Sequence, residues 1–207
     1  MKYRKRKEHV FQHTADNLRL VSMTEEQRKA LQEQHGTATW AASPHIYFVE
    51  FSCLNRAFRG YGIKNSNGGV EFINSDYMDA PVTLKNNGFV IIYHRKGKVS
   101  KNCCLFYDFV DYLSFYAVQQ LNFFQLPEGY DCLIMSNVKN FVSMVVETDD
   151  YDDIYMFFPN DMVGATISQT IENRNRRHVH NCGILYRASP SFHHFALDYI
   201  DMVKKIK

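Results

Sequence analysis

Tryptophan occurs once in the 207 residues and proline five times. No Pro-, Gly- or Ser-rich stretch marks a linker, and no internal repeat is visible, which excludes solenoid and low-complexity classes. No apolar run approaches the roughly 20 residues of a membrane-spanning helix, so no membrane association is expected. The basic start is followed by no apolar h-region, so no secretory signal is expected either. The five cysteines (Cys53, Cys103, Cys104, Cys132 and Cys182) are odd in number and contain no C-x-x-C pair. That excludes a zinc ribbon and a disulfide framework, and a reducing cytoplasm is the natural setting. Net charge is only +2, so no global field demands a polyanionic partner.

What is present is ordinary material for a folded domain: 45% hydrophobic and 22% charged residues, enough to build a core without staples. Aromatics reach 14%, chiefly Phe and Tyr. They fit a thick aromatic core or, alternatively, platforms for stacked bases. Cations cluster locally at Lys2 to Lys7, at Arg95, Lys96, Lys98 and Lys101, and at Arg174, Arg176 and Arg177. Each cluster could meet phosphate or form a solvated face. His178, His180 and Cys182 alternate as H-x-H-x-C, which on a strand would share one face, but no fourth metal ligand is evident. Cys103, Cys104 and Cys132 lie in apolar runs and read as buried hydrophobes.

Along the chain, residues 1–22 read as a basic tail or a first helix. Thr24 with Gln27 forms a capping-box pattern opening a peripheral helix to about His35, with Gly36 as its stop. Short β-like pieces follow at His45–Phe51, on either side of the Asn65-Ser66-Asn67-Gly68-Gly69 turn, at Val82–Leu84 and at Phe89–Tyr93. The second half alternates strand and helix. Strands are expected at Cys103–Tyr107, Leu133–Met135, Ile154–Phe158 and Gly183–Tyr186, with helices from Phe109, Lys139, Met162 and Phe192. The predicted fold is α/β. A mainly parallel sheet flanked by helices occupies 101–207, preceded by a β-rich part at 45–100 and a basic tail with a peripheral helix at 1–44.

In such sheets ligands sit beyond the carboxyl ends of strands. Two strand–helix junctions therefore matter: Tyr107-Asp108-Phe109-Val110-Asp111-Tyr112-Leu113-Ser114 and Pro159-Asn160-Asp161-Met162-Val163-Gly164. These segments resemble those of the Toprim family, nearest to the primase-type Toprim proteins carried on mobile elements of gut bacteria. The first matches a Glu-Gly-x-x-Asp-x-Leu-Ser pattern at Asp111, Leu113 and Ser114, with Tyr107 and Asp108 in place of glutamate and glycine. The second matches Asp-Asn-Asp-x-x-Gly at Asn160, Asp161 and Gly164, with Pro159 in place of the first aspartate. Upstream, residues 62–71, GIKNSNGGVE, follow a Gly-φ-x-Asn-x-x-Gly-Gly-φ-Glu segment of the same relatives. Near the end Tyr186 fits, while Ser191 and His193 stand where the relatives carry Asp and Asn.

The resemblance implies a frame built for phosphodiester chemistry on magnesium, an ion that takes carboxylates, phosphate oxygens and water. It also implies that the chemistry is damaged. A phenol at Tyr107 is neutral at pH 7, and Pro159 brings no side-chain oxygen. Asp111 and Asp161 remain as metal candidates, alternatively as a first-turn carboxylate and a helix N-cap. Asp108 could replace the lost glutamate after a local shift. The expected function is a non-catalytic Toprim-like protein that binds nucleic acid or a replication or mobilisation partner. Nucleic-acid contacts are expected at Asn65, Gly68, Gly69, Arg95, Lys96, Lys98, Arg174, Arg176 and Arg177. The alternatives are a magnesium-dependent nucleotidyltransferase or nuclease with a relocated acid, and a protein-binding subunit or decoy of a primase.

Overall fold

The computed structural model describes residues 15–35, 43–74, 81–121, 126–174 and 178–206. Among these residues are two five-stranded sheets and five α-helices. The chain groups into two compact units, Met1–Val90 and Ile91–Lys207, so residues 91–100 group with the α/β half.

The first unit is an antiparallel meander in the order β1 to β5: β1 Asp16–Val21, β2 Tyr47–Cys53, β3 Arg56–Lys64, β4 Val70–Ile73 and β5 Val82–Leu84. Alternation of apolar residues decides its inner face. Val49, Phe51 and Cys53 of β2 are buried with Val70 and Phe72 of β4 and with Val82 and Leu84 of β5. Leu54 and Asn55 join β2 to β3 with φ of 48° and 60°, the backbone signature of a tight two-residue hairpin. Helix α1, Glu25–His35, starts as its sequence predicts. The Thr24 N–H donates to Gln27 Oε1 at 2.9 Å and the Gln27 N–H donates to Thr24 Oγ1 at 3.3 Å, a reciprocal capping box.

Two expectations are corrected here. Residues 16–21 are neither tail nor helix but strand β1, paired with β2 and bulged between Asp16 and Arg19. Its six residues carry only a weak apolar alternation, so the pairing rather than the local pattern defines it. The mainly parallel sheet describes the second unit alone, because the first unit has an antiparallel sheet of its own. The cations at 2–7 lie outside the described residues.

The second sheet holds β6 Val90–Ile92, which begins at the last residue of the first unit, then β7 Asn102–Phe106, β8 Tyr130–Ile134, β9 Asp153–Phe157 and β10 His178–Asn181, in the order β10-β9-β7-β8-β6. Strand β7 runs parallel to both β8 and β9, and β10 runs parallel to β9. The helices are α2 Phe109–Gln119, α3 Phe141–Glu147, α4 Met162–Arg174 and α5 Phe192–Ile206. Successive strand residues face opposite sides of a sheet, so continuous apolar runs must be covered twice. On one side Cys103, Leu105, Leu133, Ile154 and Met156 pack with Met144 and Val145 of α3 and with Ile167 and Ile171 of α4. On the other side Phe106 stacks on Phe157 at 5.3 Å, Phe115 of α2 lies 5.0 Å from both rings, and Phe192 of α5 meets Phe157 edge-on at 5.3 Å. Much of the aromatic surplus is therefore core. All five cysteines are buried, and none of them forms a disulfide.

Gly183–Tyr186 is not the fourth strand. Cys182–Tyr186 forms a 3-10 turn, and the strand is the polar His178–Asn181 just before it. As an edge strand with one neighbour, β10 needs no apolar run. It ends where the Asn181 side chain accepts from the Gly183 N–H at 3.1 Å.

Candidate functional site

The carboxyl end of β7 is followed at once by α2, and its acids are built into that helix start. Asp108 is the N-cap: its Oδ1 accepts from the N–H groups of Val110 and Asp111, each at 3.0 Å. Asp111 lies one turn in and is buried, only 2% exposed. Its Oδ1 accepts from the His193 N–H at 2.9 Å, and the Ser191 side chain also bonds to it. Residue 193 is in the first turn of α5, so Asp111 caps a helix 82 positions away. Ser114, one turn further along α2, meets His193 Nδ1 at 2.8 Å. The positions singled out as Ser191 and His193 thus converge on Asp111. Burial, then the charge of Asp108, pushes the Asp111 carboxyl well above its ordinary value, against the lowering pull of the His193 N–H and Ser191. Tyr107 is half-buried and packs against the apolar core beneath the sheet.

The β9–α4 junction is equally engaged. The Asp161 carboxylate accepts from the Gly164 N–H at 2.7 Å, as an N-cap does. Gly164 carries no Cβ because one would meet the carbonyl oxygen of Pro159. Asn160 donates from Nδ2 to the carbonyls of Tyr186 at 2.8 Å and Ser189 at 2.9 Å, while its N–H donates to the Pro190 carbonyl at 2.8 Å. The Tyr186 hydroxyl closes the loop by donating to the Phe158 carbonyl at 2.7 Å. Among the described residues, no group of three His, Cys, Asp or Glu is disposed to hold a metal ion. At this end of the sheet Asp108, Asp111 and Asp161 each accept from backbone N–H groups.

The basic segment lies elsewhere. Arg95 and Lys98 bridge across a tight turn with Gly97 at φ +75°. This turn precedes β7, whose amino end lies about 16 Å from its carboxyl end at 3.3 Å per residue. Its foundation is Asp131, which sequence reasoning missed. That carboxylate is fully buried. It accepts from the His94 N–H at 2.8 Å, the Ser100 N–H at 2.9 Å, the Ser100 hydroxyl at 2.7 Å and the Tyr151 hydroxyl at 3.2 Å. The only signal for it in the sequence is a lone acid inside the run YDCLI. Beside the turn opens a cleft of about 580 Å³, lined by His94, Arg95, Lys98, Lys101, Glu128 and Gly129 with the intervening backbone. Lys96 sits exposed in the turn and is not among the lining residues.

Arg174 is ion-paired with Asp149 at 2.8 Å, which ties the acidic stretch before β9 (Asp149, Asp150, Asp152 and Asp153) to the end of α4. Arg176 and Arg177 lie outside the described residues. His178 and His180 do share a face, each 3.3–3.4 Å from Asp153 Oδ1, whereas Cys182 has left the strand and its thiol faces the His180 carbonyl.

In the first unit, Asn65 organises the β3–β4 turn. Its Oδ1 accepts from the N–H groups of Asn67 at 3.1 Å and Gly69 at 2.8 Å, and its Nδ2 donates to the Asn86 carbonyl at 2.8 Å. Glu71, 1% exposed, accepts from the Thr83 hydroxyl at 3.0 Å. A Cβ on Gly69 would run into the Asn86 carbonyl, so the close approach this glycine permits is to the chain itself. Gly68 adopts φ +74° with open space around it.

Two outcomes follow from these contacts. Asp111→Ala removes the acceptor for the His193 N–H and should cost about 2 kcal/mol of stability in urea titration. Asp111→Asn keeps an acceptor and tests the proton. With its folded value raised, the wild-type carboxyl holds its proton after the unfolded chain has released it. Wild-type stability should then fall relative to Asp111→Asn as pH rises from about 4 through the folded value. A difference between the two that is constant with pH would refute this. In the first unit, Gly69→Ala should lose about 2 kcal/mol in the same assay.

Comparison with known proteins returned no matching family model and no matching curated protein. Among solved structures, the chain is similar to the primase fragment of the bacteriophage T7 primase-helicase protein, at 11% identity and TM-score 0.49, over 90% of this chain and 72% of that one. It is also similar to a chain in the structure of the bacteriophage T7 lagging-strand DNA polymerase interacting with primase domains of two gp4 subunits bound to an RNA/DNA hybrid and dTTP. There the identity is 12% and the TM-score 0.39, over 76% of this chain and 75% of that one. Likeness at these values carries no argument about function.

Proposed function

We propose that this chain is a primase-like, Toprim-type protein that binds nucleic acid and has given up phosphoryl-transfer chemistry. The observation that supports it most is the fate of the acids at the carboxyl end of the sheet. Asp108 caps α2, Asp161 caps α4, and Asp111 caps α5 from inside the protein. A magnesium ion needs charged oxygens that can turn toward it. Asp111 is buried, and both desolvation and the neighbouring Asp108 disfavour its charged form. Tyr107 and Pro159 add no carboxylate. The relocated-acid alternative would have to recruit Asp108 while its Oδ1 is engaged by two backbone N–H groups at the start of α2.

A replication partner that is itself a protein is the second reading, and one feature favours it. Met162 and Ile184 are 83% and 71% exposed, and Val163 and Leu185 beside them are also exposed. They flank the Asn160 junction, where a substrate-binding rim would be polar.

Isothermal titration of the full chain with magnesium and with manganese should give no binding tighter than millimolar, and template-directed primer synthesis should be absent. Affinity for single-stranded DNA should be measurable at low salt and fall linearly in log K against log salt. Tight metal binding that Asp161→Ala abolishes would establish the catalytic alternative instead.

A further inference from the structure

The cleft at the amino end of the parallel sheet has no role in the chemistry the carboxyl end was expected to perform. Three cations line it, Arg95, Lys98 and Lys101, against one carboxylate, Glu128. Among the described residues none of these cations is ion-paired. All three are exposed side chains on a short stretch of backbone that is itself fixed. Asp131 holds the stretch at both ends through His94 and Ser100, and the Arg95–Lys98 bridge closes it between them. A backbone clamped by a fully buried carboxylate leaves chiefly the side-chain rotamers of these cations to be ordered on binding. The cleft opens to solvent and holds about 580 Å³, room for a small ligand. His94 adds a ring and an N–H donor or acceptor to the wall.

We infer that this cleft, between the 94–101 turn and the Glu128-Gly129 loop, is a binding site for the phosphate groups of a nucleotide, either free or at the end of a nucleic-acid strand. Arg95 offers a planar fork for phosphate oxygens, and Lys98 and Lys101 act as point charges on the same group. Glu128, also lining the cleft, can accept from a sugar hydroxyl or a base amino group, which phosphate alone would not provide. The inference rests on the nucleic-acid reading above but places the contact at the opposite end of the sheet from the degenerate junctions.

The test uses the full chain, a fluorescent single-stranded oligonucleotide with a 5′-phosphate, and a labelled nucleoside triphosphate, each titrated at several salt concentrations. The double variant Arg95→Gln/Lys98→Gln should weaken at least one of the two ligands tenfold or more at low salt. For the oligonucleotide, the slope of log K against log salt should become shallower by about 1.4, the loss of two phosphate contacts on a single strand. Lys205→Gln, in α5, should change neither ligand. Thermal unfolding of the double variant should match wild type, since the Asp131 clamp is untouched. If the double variant leaves unchanged every ligand that the wild type binds, this site is overturned, and oligonucleotide binding among them leaves the nucleic-acid reading standing. Binding of the triphosphate alone, lost in the double variant, supports the site and removes the nucleic-acid reading. Binding of neither ligand by wild type ends both.

Discussion

The buried carboxylate of Asp111 is the constraint around which the second unit is arranged. It belongs to α2, yet it satisfies an N–H in the first turn of α5, where a helix leaves donors without intrahelical acceptors. Few side chains reach such a position from another element, so the two helices have to lie side by side. That placement brings Phe115 and Phe192 onto Phe157 and closes the aromatic face of the sheet. The Ser114–His193 contact, one turn on, fixes the same pair of helices a second time. Polar and apolar contacts here are one device: the carboxylate sets the register, and the rings supply most of the buried area.

The two ends of the parallel sheet have consequently taken opposite characters. At the carboxyl end, acids face backbone donors and the loops are tied to one another through Asn160 and Tyr186. At the amino end, a single buried acid, Asp131, holds backbone and hydroxyl donors, and the cations above it are left to solvent. A carboxylate saturated by donors in a dry site stabilises local structure and adds little to the field outside. Exposed, unpaired cations do the reverse. Ligand-binding capacity has therefore to be sought where charge is not already answered within the fold.

Much of the architecture was legible because its signals are local. The capping box at Thr24 and Gln27, the helix Met162–Arg174 and the turn at Asn65–Gly69 all carry short-range patterns, and all formed where expected. What escaped depends on distant partners. Strand β1 exists through pairing with β2, and β10 is too polar to read as a strand by itself. Asp131 finds its donors 20 to 37 residues away, so nothing beside it in sequence announces its role. The capping of α5 by Asp111 spans 82 positions and was legible only as a first-turn acid. The parallel pattern of the second half was likewise sound within that half but did not extend to the antiparallel first unit.

The residues through which the chain resembles Toprim proteins share one property: their groups hold the backbone. Asn65 binds the Gly69 N–H and the Asn86 carbonyl, Gly69 admits that carbonyl, and Glu71 takes the Thr83 hydroxyl. Asn160 ties down the 186–190 loop, Asp161 caps α4, and Gly164 makes room for Pro159. Replacing any of them leaves a polar partner unanswered or drives a Cβ into a carbonyl oxygen, which costs stability. Positions 107 and 159 are different in kind. A half-buried tyrosine that packs on the core and a proline before a capped helix are compatible with the same backbone. In this chain the groups of that pattern are bonded to backbone, and a pattern of that kind holds a fold without by itself supplying reactivity.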